Sequence, residues 1–236
     1  RPQYGQGRSE VQASGVDLML AVDVSGSMEA LDFTLDGQPA NRLECVKSVV
    51  SKFIEARPND RIGLVAFAGA PYLVSPLSLD HQWLQQNLDR VRIGLIEDGT
   101  AIGSALATSV NRLRDQPSKS KIVVLLTDGL NNAGKVAPQT AAEAAKAMGV
   151  KVYTIGAGAQ GEAPVPVKDQ FGNPRIVMAK VDVDEAGLKR IADETGGKFF
   201  RATDTDSLKK IYAEIDRMEK TTHAVKKFSK YHELFA

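Results

Sequence analysis

Residues 16–27 read Val-Asp-Leu-Met-Leu-Ala-Val-Asp-Val-Ser-Gly-Ser. The run from Val16 to Val22 is almost continuously apolar, without the alternation of a strand that has one face in water. It therefore suits a central strand of a parallel sheet covered on both sides. The run stops at Asp23, and Asp23, Ser25 and Ser27 then occupy alternate positions of one tight turn. A carboxylate and two hydroxyls can thus point their oxygens at a common point. The construction recurs downstream, where KIVVLLT (121–127) is another buried strand that stops at Asp128-Gly129. Thr100, in Gly99-Thr100-Ala101-Ile102-Gly103, stands just ahead of a helical pattern over 102–115.

Outward from these stretches, strand and helix alternate. Asn41 with Glu44 three residues on has the form of a capping box, and Leu43, Val46, Val50, Phe53 and Ile54 then mark one helical face with Cys45 near it. Further strands are expected at 61–67, 72–74, 150–155 and 198–201. The 72–74 segment, between Pro71 and Pro76, is expected to be short and at an edge. Helices are expected at 80–91, 140–148, 184–194 and 206–218. This order predicts an α/β fold, a Rossmann-like doubly wound, mostly parallel six-stranded sheet with one short antiparallel edge strand and helices on both faces. Ligand sites in such sheets lie beyond the carboxyl ends of the strands. Two insertions interrupt the pattern on that side: a loop at 28–40, and 161–180, where VPVKD and RIVMA flank QFGNP as in a β-hairpin with Phe171 at its tip. Residues 1–15 read as a polar linker, 16–218 as the domain, and 219–236 as a basic tail. Its KKFSKYHELFA ending reads equally as a solvated end or as a segment approaching a membrane surface.

Composition narrows the function. The chain has 236 residues, enough for one domain with a substantial core, and its 30 Lys and Arg nearly cancel 29 Asp and Glu. No global field draws it to nucleic acid, so a partner must be recognised locally. The single cysteine, Cys45, excludes an internal disulfide and any multi-cysteine metal site. His81, His223 and His232 have no spacing that suggests zinc or a triad and are expected to face solvent; Trp83 and the Phe199-Phe200 pair are expected to be core or partly buried. GLNNAGK (129–135) nearly completes a phosphate-binding loop, but Val136 stands where the metal-binding hydroxyl belongs. The glycines of 156–161 resemble a dinucleotide fingerprint, yet Pro164 and Pro166 follow where a helix should begin.

Singly, Thr100 could be a helix cap and Asp128 a turn former. Together, DVSGS, the threonine of DGTAIG and the aspartate of TDG stand in order at three loops of one sheet. In this they resemble the metal-ion-dependent adhesion motif of von Willebrand factor A-type (VWA) domains, over roughly 16–218. The resemblance implies that Ser25 and Ser27 bind a cation directly, that Thr100 does so directly or through water, and that Asp23 and Asp128 act mainly through waters and hydrogen bonds. Mg²⁺ suits such oxygen donors, with Mn²⁺ or Ca²⁺ as alternatives. With neutral hydroxyls nearest, the ion keeps charge toward solvent and can accept an Asp or Glu of a partner protein.

NRLECVKSVVSKFIEARPNDRIGLVAFAG, EDGTAIGSALATSVNRLRD and KIVVLLTDGLNNAG are especially similar to the bacterial aerotolerance (Bat) family. That resemblance implies membrane helices flanking the domain, anchoring in the bacterial inner membrane with the domain in the periplasm, and a functional link to a MoxR-type AAA+ ATPase and other VWA proteins. The expected role is binding rather than catalysis. The alternative is a Mg²⁺-dependent hydrolase or phosphotransferase using a strand-end Asp, against which Ser25 stands where a dehalogenase-like phosphatase would carry its second Asp.

Overall fold

The computed structural model describes residues 15–118, 120–159, 161–168 and 173–228. The expected linker thus lies almost entirely outside the described residues, as do Phe171 and His232.

Six strands form the central sheet: β1 (Asp17–Asp23), β4 (Arg61–Phe67), β5 (Pro71–Ser78), β6 (Lys121–Thr127), β7 (Val150–Ala157) and β10 (Phe199–Ala202). Their order is β10-β7-β6-β1-β4-β5, every pair parallel except β4 with β5. The fold expected from the sequence is the one observed. β1 sits between β6 and β4, which explains its unbroken apolar run: Leu18, Leu20 and Val22 turn to one face and Met19 and Ala21 to the other, all buried. Helices α1 (Arg42–Glu55), α2 (His81–Arg90) and α6 (Thr205–Phe228) cover the first face. The second carries α3 (Ile102–Leu113), α4 (Pro138–Ala147) and α5 (Glu185–Thr195). Each buried aliphatic side chain contributes about 1.5–3 kcal/mol, so the two layers hold the strand ends rigidly.

Local signals place the helices. The Asn41 side chain accepts the Glu44 N–H at 2.8 Å, so α1 starts where the capping pattern put it. The Asp184 side chain caps α5, which ends on Gly196 in the left-handed region.

Five expectations are corrected. β5 extends over eight residues rather than three. Pro76 is tolerated because the strand is an edge and its register with β4 is irregular on both sides of the Leu64–Ser75 pair. The 28–40 segment follows on a 3-10 turn (Gly26–Glu29) and holds a small hairpin of β2 (Phe33–Leu35) with β3 (Gln38–Ala40), closed by Asp36 and Gly37, both at positive φ. The last helix, expected over 206–218, runs to Phe228, and Glu219 is fully buried, accepting from Lys151 Nζ at 2.8 Å and from the Tyr153 hydroxyl. Trp83 is 48% exposed, and His81 is half-buried with its Nε2 2.9 Å from the Asp60 carbonyl. The second insertion forms the expected hairpin, β8 (Glu162–Lys168) with β9 (Pro174–Lys180).

Candidate functional site

The carboxyl ends of β1 and β6 are neighbours in the sheet, so the turns after them converge. Asp23 is fully buried. One of its oxygens accepts the Ser25 N–H at 2.9 Å and the other the Thr127 hydroxyl at 2.6 Å, which closes the turn after β1 and ties it to the last residue of β6. The Ser25 and Ser27 hydroxyls lie 3.0 Å apart, and Ser27 donates to Asp128 Oδ1 at 2.6 Å. Ser25, Thr100 and Asp128 are buried, whereas Ser27 is exposed and opens the cluster to solvent.

Thr100 arrives from the third loop. Its backbone N–H donates to Asn132 Oδ1 at 2.8 Å, its carbonyl accepts the Asn132 N–H at 3.1 Å, and Asn131 Oδ1 accepts from Gly103 N at 3.3 Å. The GLNNAGK stretch therefore braces the threonine loop instead of cradling a phosphate. A side chain on Gly129 would put its Cβ 3.1 Å from the Thr100 hydroxyl oxygen, so the Thr100 hydroxyl lies directly against the Asp128 loop and a larger residue there would press on it. Asp98 Oδ1 accepts from Gly26 N at 2.9 Å and joins the threonine loop to the serine turn. All five sequence-predicted residues are thus brought to one place.

Sequence reasoning missed Arg42. It is 2% exposed, donates from Nη1 to Asp128 Oδ2 at 2.6 Å, and grips Asp32 through Nε at 2.8 Å and Nη2 at 2.5 Å. Asp32 also accepts the Ala159 N–H at 2.8 Å, so one guanidinium links the site to the first insertion and, through Asp32, to the segment just after β7. A Cβ on Gly158 would stand 2.8 Å from that guanidinium, which gives a glycine of the 156–161 run its reason. A signal was present: a cation in the first turn of a helix opposes the macrodipole and calls for a carboxylate nearby.

Burial, and then the neighbouring Asp128 charge, pushes the Asp23 carboxyl up. Burial also pushes Asp128 up, against the attraction of Arg42 and the Ser27 hydroxyl. Burial works the same way on Asp32, but there the Arg42 fork and the Ala159 N–H outweigh it and hold the carboxyl below its usual range. The donor set fits a hard cation. Asp23 meets the Ser25 N–H and the hydroxyls of Thr127 and Ser25, all neutral, and oxygens of three loops gather at the turn. Among the described residues no three His, Cys, Asp or Glu side chains are grouped to hold a metal, so an ion here would depend on the hydroxyls.

The von Willebrand factor type A domain model matches residues 17–214, and the chain belongs to that family. Within it, the chain is similar to an aerotolerance-related membrane protein from Bacteroides fragilis, at 29% identity and TM-score 0.70 over 85% of this chain and 98% of that one. It is equally similar to BatB from Bacteroides thetaiotaomicron, at 30% identity and TM-score 0.70 over 87% and 100%. The resemblance to the Bat proteins drawn from the sequence is borne out. An uncharacterized protein of Borreliella burgdorferi is 30% identical over 214 residues, and a UPF0353 protein of Mycolicibacterium paratuberculosis 31% over 212. The matches span 62% and 59% of those two relatives' lengths. No helix among the described residues is long and apolar enough to cross a membrane.

Proposed function

We propose that this domain is a cation-dependent protein-binding module whose ligand is an Asp or Glu side chain of a partner protein. One observation carries the reading: Ser27, the exposed member, lies within hydrogen-bond distance of both the Ser25 hydroxyl and Asp128 Oδ1, above a buried Asp23 held by Ser25 and Thr127. Ser25, Ser27 and Thr100 would hold the ion directly, with Asp23 and Asp128 behind them, and Mg²⁺ is the cation the donors suit best. When bound, it supplies a positive coordination position that a partner carboxylate can occupy. The protein's part is to hold the hydroxyls in place without neutralising the ion. Arg42 contributes by taking up one oxygen of Asp128. Beside the cluster, a groove lined by Glu29, Leu31, Lys47, Ile93 and Pro166 offers shape and charge for selecting the partner.

The geometry supports binding over phosphotransfer. Asp23, the candidate nucleophile of the alternative, is fully buried with both oxygens engaged. The name of the Bacteroides fragilis relative, an aerotolerance-related membrane protein, supports membrane anchoring of the full-length protein. We extend this to an inner-membrane protein with the domain in the periplasm, acting with a MoxR-type ATPase. Retention of partners from a membrane extract, compared in Mg²⁺ and EDTA, tests the reading. The expected result is retention in Mg²⁺ that is lost in EDTA and with Asp23→Ala; capture that survives both would overturn it.

A further inference from the structure

The β8–β9 hairpin carries an edge that the cation chemistry leaves unused. Val167, Ile176, Val177 and Met178 are exposed, Ile176 and Met178 to 66% and 60%. The backbone identifies which edge is open. Gly161 O accepts the Val181 N–H at 2.8 Å across the hairpin, whereas Pro164 O accepts the Leu31 N–H at 2.8 Å from the first insertion. In an antiparallel ladder the N–H and C=O of a residue point to one side, and the side alternates along the strand. Positions 161, 163, 165 and 167 therefore face β9, while Pro164 and Pro166 face outward. Those prolines have no N–H to offer, and the Pro164 carbonyl is taken, so the β8 edge is closed. Their register partners, Met178 and Ile176, must turn N–H and C=O outward from β9, and among the described residues no strand pairs with that edge.

We infer that the β9 edge pairs with the same edge of a second copy of this chain, antiparallel about a two-fold axis through Val177. The segment Pro174-Arg175-Ile176-Val177-Met178-Ala179-Lys180 is self-complementary about that residue. Ile176 meets Met178 of the second copy, and both carry outward groups, so the two pairs exchange four hydrogen bonds. Arg175 meets Ala179 and Lys180 meets Pro174, so no like charges stand opposite. Residues directly opposite share a face. Pro166, Ile176, then Met178 and Pro164 of the second copy form one apolar row, repeated by symmetry, and Val165, Val177, Val177 and Val165 form a row on the other face. A two-stranded ribbon is marginal alone, and the pairing converts it into four strands. An unrelated apolar segment would not require this mirror pattern, which favours the second copy as occupant.

Sedimentation of the chain over a concentration series tests the inference, with dimer formation expected. Ile176→Pro removes an outward N–H and no bond within the hairpin, and should weaken association about thirty-fold, the loss of two hydrogen bonds per dimer. Ile176→Lys should weaken it as well, and adding Met178→Glu should restore it, because each lysine then faces a glutamate. Cys45 is buried, so an introduced cysteine is the one thiol open to oxidation. Val177→Cys should form a disulfide between copies, its Cα atoms about 4.5 Å apart, whereas Ala179→Cys, about 13 Å from its mate along the strands, should not. A chain that stays monomeric, a dimer indifferent to Ile176→Pro, or equal cross-linking of both cysteines would overturn it.

Discussion

Replacing Arg42 by methionine keeps the volume of the side-chain stem but deletes its charge. The Arg42 side chain is 2% exposed and its two partners are also buried, with Asp32 at 5% and Asp128 at 0% for their side chains. Removing one member of such a buried pair costs about 3–5 kcal/mol, because the remaining charge is left uncompensated. Asp32 would keep the Ala159 N–H and Asp128 the Ser27 hydroxyl, which places the loss toward the lower end, about 3 kcal/mol. For a chain of this size that lowers Tm by about 6–12 °C. Urea unfolding followed by far-UV circular dichroism, with and without Mg²⁺, measures it. In EDTA the full loss should appear. In Mg²⁺ the variant should gain more stability than the wild type, because Asp128 then meets the cation without a competing guanidinium. A loss below about 1 kcal/mol in EDTA, or a Mg²⁺ gain no larger than that of the wild type, would refute the role given to Arg42.

Four further outcomes are expected. Thr127→Val removes the hydroxyl behind Asp23 and should lower Mg²⁺ affinity about 10–100-fold by titration calorimetry, with the fold retained. Asp32 has a folded-state pKa below its unfolded value of 3.8, so its contribution is present above that pH and is lost as pH falls through the folded value. Asp32→Asn should therefore flatten the acid limb of the stability profile below about pH 4. Burial pushes the Cys45 thiol up, so a thiol reagent should leave it untouched in the native protein and titrate it fully in denaturant. Ending the chain after Met218 removes the buried Glu219 and should destabilise it by about 1–3 kcal/mol in a denaturant titration; unchanged stability would make the remainder of α6 dispensable.

The strands that hold the site were legible because each is buried on both faces and its apolar run stops at a polar residue. The 61–67 and 121–127 segments coincide with the observed strands to the residue. What was misread depends on contacts outside the segment. Two prolines bounding 72–74 argue for a short strand, yet an irregular edge accommodates Pro76. The Asp36-Gly37 turn joins strands of only three residues, too short for a period to show, so 28–40 reads as a loop. The continuation of α6 beyond 218 brings Glu219 to Lys151 and Tyr153, 68 and 66 residues earlier. The five oxygen-bearing residues were readable from their motif. Arg42 was not, since its partners lie 10 and 86 residues away and only the folded sheet brings them together.

The placement of β1 bears on how the domain carries load. Its carboxyl end holds Asp23, and its amino end, Asp17, lies at the far side of the sheet. α6 begins beside the first insertion, where the Thr205 hydroxyl donates to Thr34 O, and descends to the level of Lys151 at the start of β7. A ligand tugging at the serine turn against tethers at those two far ends would therefore strain the central strand along its own axis. Parallel ladders on both flanks would resist that pull by shearing together rather than opening one rung at a time. Under the proposed binding and anchoring, load would run along β1 between the serine turn and its amino end.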